Sequence, residues 1–273
     1  MQKTLRIGVA AILTIVFALP LYLAVVNVFK TQNQISYHPI SPPNPFTLEN
    51  LYSVVMRGDR LLFHGLQNSL FVVSVSLVLL VILSSVIGFY IARHNNRWTR
   101  LLLLLFVAGM MVPPQVTLIP VTRLLRFLRL MGTYPGLILY YTSTGLLSFA
   151  VFVFTGFVKS IPRELDEAAV LDGAGGFQLF WKVIFPLMRP ATASVAIFLS
   201  LWMWNDFLNP LIILGPARGI TITTGIYTAL GQYSTDYGQM FALMFLSALP
   251  VLALYFALQK EFISGLTGGA IKG

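Results

Sequence analysis

The sequence has no cysteine, only nine acidic residues and only three histidines among 273 positions. The absence of cysteine excludes disulfides, thiolate metal sites and a cysteine nucleophile. His38, His64 and His94 stand far apart, and neither the H-E-x-x-H pair of a metallohydrolase nor the G-x-S-x-G elbow of a serine hydrolase occurs. A G-x-x-x-x-G-K-[ST] loop is also missing, so the chain brings no phosphate cradle of its own for ATP. No catalytic residue and no metal-ligand set is assigned.

What fills the chain instead is apolar. Hydrophobic residues make up 57%, charged residues 10%, and the mean hydropathy is +0.81, values outside the range of soluble domains. The net charge of +9 is scattered over short loops, without the basic stripe and interleaved aromatics that a nucleic-acid groove needs. A helix crossing a bilayer core needs roughly 20 apolar residues. Six segments qualify: Ile7–Phe29, Leu66–Ala92, Leu101–Val121, Gly136–Val158, Ala191–Leu214 and Tyr237–Leu258. The first follows Lys3 and Arg6 like a signal peptide, but its 23 uncharged residues lack a small-x-small cleavage site, so it reads as a retained span.

An even number of spans puts both termini on one side. Eleven Lys and Arg fall on the terminal side and seven opposite, which favours cytoplasmic termini. Arg123, Arg126 and Arg129 recur every third residue among leucines and read as a short amphipathic helix lying flat at the outer interface, either snorkelling or receiving an anionic ligand or docking protein. Between spans one and two, His38-Pro39, Ser41-Pro42-Pro43 and Asn44-Pro45 predict an extended outer segment. Ser84, Gly88 and Ala92, four residues apart, predict close approach of another helix to span two. Pro20, Pro113, Pro114, Pro210 and Pro250 predict kinks or breaks within spans.

One polar stretch, Lys159 to Arg189, interrupts this pattern. Ser160 and Pro162 are placed to cap and start a helix whose first turn carries Glu164, Asp166 and Glu167 against the positive end of the dipole. Gly173 can take the positive φ that ends it. Phe177, Phe180, Trp181 and Ile184 then fall at i, i+3, i+4 and i+7, an apolar stripe on a second short helix closed by Pro186. Helices this short need a packing partner, since about 12–15 residues are normally required for stability in water. The partner is either the protein's own span ends, or the lipid interface, or another subunit.

The run Glu167-Ala168-Ala169, with Gly173 four residues on and Ile184-x-Pro186 about ten residues later, resembles the EAA signature of permease subunits in binding-protein-dependent ABC importers. Trp204-Asn205-Asp206-Phe207-Leu208 and the ending Gly265 to Gly273 are similar to the carbohydrate branch, maltose-type permeases of the six-span kind. The resemblance implies an all-α membrane protein with six transmembrane helices in the type I ABC importer fold. Its parts are a first helix and external Pro-rich loop over 1–65, a transmembrane core over 66–259 with a coupling loop at 159–189, and a cytoplasmic tail over 260–273.

It further implies that Glu167, Ala168, Ala169, Asp172, Gly173, Phe177, Phe180 and Pro186 couple to an ATP-binding subunit. The expected partners are two such subunits, which would hold ATP and magnesium, a second and homologous permease, an extracytoplasmic solute-binding protein, and membrane lipid. The expected place is the cytoplasmic membrane of a prokaryote, and the expected role is transport of a sugar or oligosaccharide, with no enzyme activity in this chain. The rivals are an ion- or proton-coupled secondary transporter and an intramembrane enzyme.

Asp206, with Asn205 before it, is the carboxylate placed inside an apolar segment, and such groups usually face a cavity or a partner. It is either a gate or substrate-path residue or a structural group at a helix break before Pro210. Trp202, Trp204, Phe207 and Tyr227 either stack on sugar rings or form an interface belt. In maltose-type relatives the matching tail reaches toward the ATP-binding subunits, which makes Gly268, Gly269, Lys272 and Gly273 contact candidates against the alternative of a frayed terminus.

Overall fold

The computed structural model describes residues 2–215, 219–232 and 236–270, with side chains left out for 2–4, 230–232 and 262–270. Among the described residues every regular element is helical. Three helices are long and apolar enough to cross a membrane, and six crossings result if each of three bent helix pairs counts as one. The chain divides into two compact units, Met1–Gln67 with Thr221–Pro250, and Asn68–Ile220 with Val251–Gly273.

The first unit opens with α1 (Gln2–Val26), which tolerates Pro20 and leaves its apolar window unburied within the chain. A 3-10 turn, Asn27–Phe29, ends the span. The following segment is not extended throughout, contrary to the sequence expectation. α2 (Gln32–Tyr37) and α3 (Glu49–Val55) flank it, and only the Pro-dense stretch between them stays non-helical. The reason is positional: the prolines all lie between 38 and 48, while Gln34 accepts the Thr31 backbone N–H at 3.1 Å and starts α2 upstream of them. Lys30 is fully buried and donates to the carbonyls of His38 at 2.9 Å and Pro39 at 2.8 Å. Burial lowers its pKa below 10.5. Asn50 donates to Val28 O at 2.9 Å and Lys30 O at 2.8 Å, which ties α3 to the end of the span.

α4 (Leu61–Arg93) is 33 residues long. It is followed by α5 (Arg97–Met111), α6 (Pro114–Phe127), α7 (Tyr134–Ser143) and α8 (Gly145–Ser160). α5 starts on Asn96, whose side chain accepts the N–H groups of Trp98 and Thr99 at 3.0 Å each. The small residues of α4 do admit a neighbour: a β-carbon on Gly88 would stand 2.8 Å from Phe154 Cβ and 3.0 Å from Thr155 N, both on α8. Ser84 and Ala92 are buried.

The third predicted span, Leu101–Val121, is shorter than the apolar run. α5 stops at Met111, and α6 leaves at 102° to it. Pro113 and Pro114 cause the break, since neither donates a backbone hydrogen bond and both resist continuation of the preceding helix. The arginine stripe therefore belongs to a longer helix than expected. Arg123 and Arg126 sit exposed on α6 with Leu125 buried beneath, and Arg129 follows the helix at φ +57°.

The fourth span is bent by 44° between α7 and α8 at Thr144. After the polar stretch, α12 (Arg189–Asn205) ends at Asp206, and α13 (Leu208–Leu214) follows as a separate helix, so the fifth predicted span is also broken. α14 (Ile222–Gln232) precedes α15 (Tyr237–Ala270), which continues helically well past the predicted span end at Leu258.

Candidate functional site

The polar stretch folds as helix, turn, helix. Its first helix, α9, runs Glu164–Leu171 and carries Glu164, Asp166 and Glu167 in its first turn. Ser160 does not cap it, because α8 persists through Ser160 and the hydroxyl donates back to Phe157 O at 2.7 Å. Pro162 lies ahead of the helix, and Arg163 occupies the cap position, its carbonyl accepting from Asp166 N at 2.9 Å and Glu167 N at 3.1 Å.

Gly173 ends α9 with φ +83°. Ala174 N donates to Ala169 O at 2.9 Å and Gly173 N to Val170 O at 3.0 Å. These are the paired 6→1 and 5→2 bonds of a Schellman motif with glycine at the left-handed position. A β-carbon on Gly173 would meet nothing within 4 Å, so the demand for glycine comes from the backbone and not from crowding.

The second helix comprises α10 (Gly176–Gln178), a π-helical turn (Leu179–Ile184) and α11 (Phe185–Leu187). The π turn changes which face is buried. Leu179, Phe180, Ile184 and Met188 point inward, whereas Phe177, predicted to lead the stripe, is 78% exposed. An extra residue in the turn rotates the preceding side chain off the helical face. Pro186 does not close the helix. It sits within α11, and the chain turns at Met188, leaving α12 at 72° to the helix pair partner.

Two contacts fix this unit to the spans. The Phe180 ring lies 5.4 Å from Phe89 of α4 and is boxed by Trp181 and Phe185 at 4.9 and 5.8 Å. On the other helix, Arg93 Nε stands 2.6 Å from Asp166 Oδ2 and its Nη2 donates to Oδ1 at 2.9 Å. The same guanidinium donates through Nη1 to Val158 O at 3.2 Å and Ile161 O at 3.1 Å. The opposite surface is uncovered by the described residues: Glu167, Ala168 and Asp172 are exposed, beside Val170 at 59% and Leu171 at 88% exposure. Ala169 is half-buried. Val170 and Leu171 were not singled out from sequence, although their apolar character on a polar helix was the available signal.

A second constellation forms where three spans break. The α5–α6 break supplies Val112 and Pro114, the α7–α8 break Thr144 and Gly145, and the α12–α13 break Asp206 and Asn209, all on one cavity of about 370 Å³. Tyr141 Oη donates to Asp206 Oδ2 at 2.9 Å, Asn209 Nδ2 donates to the same oxygen at 2.8 Å, and Asn209 N donates to Oδ1 at 3.3 Å. The carboxylate thus holds the start of α13 and faces the cavity as well. Asn205 is not part of this cluster, since its amide donates to Leu201 O at 2.9 Å.

Of the aromatics considered, Trp202 lines the cavity, 5.2 Å from Phe149, while Trp204 is buried and Tyr227 belongs to the other unit. In the tail, Gly268 and Gly269 lie on the helical backbone of α15, and Lys272 and Gly273 lie outside the described residues.

The family model of the binding-protein-dependent transport system inner membrane component matches residues 84–264, which include both constellations. The multiple sugar-binding transport system permease protein MsmG of Streptococcus mutans serotype c is 33% identical over 94% of this chain and 93% of its own. The arabinooligosaccharides transport system permease protein AraQ of Bacillus subtilis is 33% identical over 85% of this chain and 81% of its own. Among solved structures, a chain of a bacterial ABC transporter involved in the import of the acidic polysaccharide alginate superposes with a TM-score of 0.82, covering 95% of this chain and 96% of that one at 18% identity, which shows a common fold. With its broken spans, its Schellman-turned helix pair and this match over two-thirds of its length, the chain belongs to the binding-protein-dependent transport system inner membrane component family, as a multi-pass membrane permease subunit.

Proposed function

We propose that the chain is one of two homologous permeases of an ATP-driven importer for a sugar or oligosaccharide, and that α9 to α11 transmit the motion of an ATP-binding subunit to the spans. The observation that carries this reading is the two-faced helix pair. One face is locked to α4 and α8 by Phe180 and Asp166, and the other leaves Val170, Leu171 and Phe177 in water. Exposed apolar groups on so short a unit favour a protein partner.

ATP and magnesium belong to two such partner subunits, and an extracytoplasmic solute-binding protein delivers the cargo. Both termini are cytoplasmic, and the membrane is the cytoplasmic membrane of a prokaryote. The functional division stays 1–65, 66–259 and 260–273, with Gly268 to Gly273 as further contacts of the ATP-binding subunits. Glu167, Ala168, Ala169, Asp172, Gly173 and Phe177 form the coupling surface, and Phe180 and Pro186 shape it from behind. Sugar as cargo is supported by the names of the relatives and by the aromatic pair Phe149 and Trp202 beside Asp206. Both oxygens of Asp206 are engaged by donors, which suits a fixed group in a passage wall better than a proton carrier.

The natural chain has no cysteine, so a single Leu171→Cys or Ala168→Cys substitution gives an unambiguous crosslinking site. In vesicles accumulating sugar, that cysteine is expected to crosslink to an ATP-binding subunit. Free labelling by a bulky maleimide throughout transport, with no crosslink formed, overturns the reading.

A further inference from the structure

A cavity of about 630 Å³, bordering the α9 unit on the side of Arg93 and Arg163, opens between the end of α4, the start of α5 and the turn from α8 into α9. Arg100, Lys159 and Arg163 line it, all exposed, and none is within ion-pair distance of a carboxylate among the described residues. Arg93, also on the wall, is neutralised by Asp166. Glu164 is the one carboxylate among the lining residues, so the rim carries a surplus of positive charge. Two of the cations are held in place and keep donors to spare. Arg100 reaches Asn95 Oδ1 through Nε and Nη2 at 3.2 and 3.0 Å, and Arg163 Nη2 reaches Arg93 O at 3.3 Å.

The surroundings say what kind of anion fits. Leu103 and Ile91 line the cavity on its apolar side, and Leu104, one turn past Arg100, leads from its edge onto the outward face of α5, where Leu101, Leu104 and Leu105 are 47%, 64% and 61% exposed. Trp98 stands at the start of the same helix, 68% exposed, with the Arg97 guanidinium 5.7 Å from its ring. A Trp and arginines at the end of an apolar helix mark the level of the membrane–water interface. Guanidinium and ammonium groups at that level, above a strip of exposed leucines, match a phosphate joined to acyl chains. A free phosphate would use the cations but leave the leucines without purpose.

We propose that this cavity binds the phosphate headgroup of an anionic phospholipid whose acyl chains lie along α5. The headgroup then rests against Arg93 and Arg163, at the root of α9, so lipid charge bears on the joint between spans and coupling helix.

The complete transporter, reconstituted in phosphatidylcholine nanodiscs containing a minor fraction of phosphatidylglycerol, tests this by native mass spectrometry. The wild type is expected to retain phosphatidylglycerol in preference to phosphatidylcholine, and R100Q/K159Q to lose that retained lipid. Modification of Lys159 by an amine-reactive probe is expected to fall when phosphatidylglycerol replaces pure phosphatidylcholine, a readout that holds even where the double variant does not assemble. The proposal is overturned by equal retention of both lipids, by unchanged retention in an assembled R100Q/K159Q, or by displacement of the lipid with inorganic phosphate. It is equally overturned if Lys159 is shielded only when the ATP-binding subunits are attached, whatever the lipid.

Discussion

Arg93 and Asp166, 73 positions apart, form a two-point ion pair that joins the end of α4 to the first turn of α9. Because the same guanidinium also holds the carbonyls of Val158 and Ile161, three elements, α4, α8 and α9, meet on one side chain. Both partners are largely shielded, with 9% and 18% of their side-chain surfaces exposed. Removing one charge leaves the other poorly solvated, at a cost of about 3–5 kcal/mol for fully buried pairs and less here. Asp166→Ala is therefore expected to lower uptake several-fold while ATP hydrolysis by the assembled transporter persists. The exchange Arg93→Asp with Asp166→Arg is expected not to restore uptake, because the two carbonyls lose their donor. Full recovery by the exchange, measured in reconstituted vesicles, means that charge alone matters and the shared joint does not.

Gly173 is set by its φ of +83°, with open space around the site. Replacement by Ala costs about 1 kcal/mol through the left-handed backbone and keeps the two turn bonds. Gly173→Asp adds a charge on the exposed coupling surface as well. The graded outcome expected is a modest loss of uptake for Ala and a large loss for Asp, with ATP hydrolysis less affected in both. Wild-type uptake by Gly173→Asp contradicts the coupling role.

Both the readable and the unreadable parts of this fold have physical causes. The apolar runs gave the number and order of the crossings, since bilayer thickness imposes a minimum length that 20 or so residues satisfy. They did not give the breaks. Pro113-Pro114 warned of one and Asp206 ahead of Pro210 of another, but the bend at Thr144 has no proline or charge in its vicinity to announce it. The Schellman turn was legible because one glycine at one spacing suffices for it. The π turn was not, since a 3.6-residue template assigns Phe177 to the buried face and nothing local says that a residue is inserted. Pairing across distant positions, as between Arg93 and Asp166 or Tyr141 and Asp206, is decided by how helices pack and leaves no periodic trace.

Asp206 carries three acceptor contacts at the α12–α13 break. An amide has a single oxygen, so Asp206→Asn turns its NH₂ toward a donor at one of these contacts, costing about 1–3 kcal/mol for an unsatisfied buried group. Sugar uptake is expected to fall, with the subunit still inserted and assembled. Trp202→Ala, which leaves the break untouched, is expected to raise the concentration of delivered cargo needed for half-maximal uptake. If Asp206→Asn leaves both assembly and uptake as in the wild type, the cavity has no part in the passage.

Lys30 offers a test confined to the first unit. Its buried ammonium satisfies the carbonyls of His38 and Pro39, which hold the Pro-dense stretch to the end of the first span. Lys30→Met preserves the aliphatic stem and removes the ammonium donor from both carbonyls, while His38 O keeps the Ser41 hydroxyl at 3.0 Å, so a loss of about 1 kcal/mol per hydrogen bond removed is expected, read as a lower Tm and faster proteolysis between 38 and 48. The pH dependence has a definite sign. With the folded pKa depressed by burial below 10.5, the unfolded chain binds more protons between the two values. Wild-type stability is therefore expected to rise relative to Lys30→Met as pH climbs through that window toward 10.5, and to be level with pH below it. A difference that shrinks over the same window shows that the ammonium is better solvated in the folded protein than its burial implies.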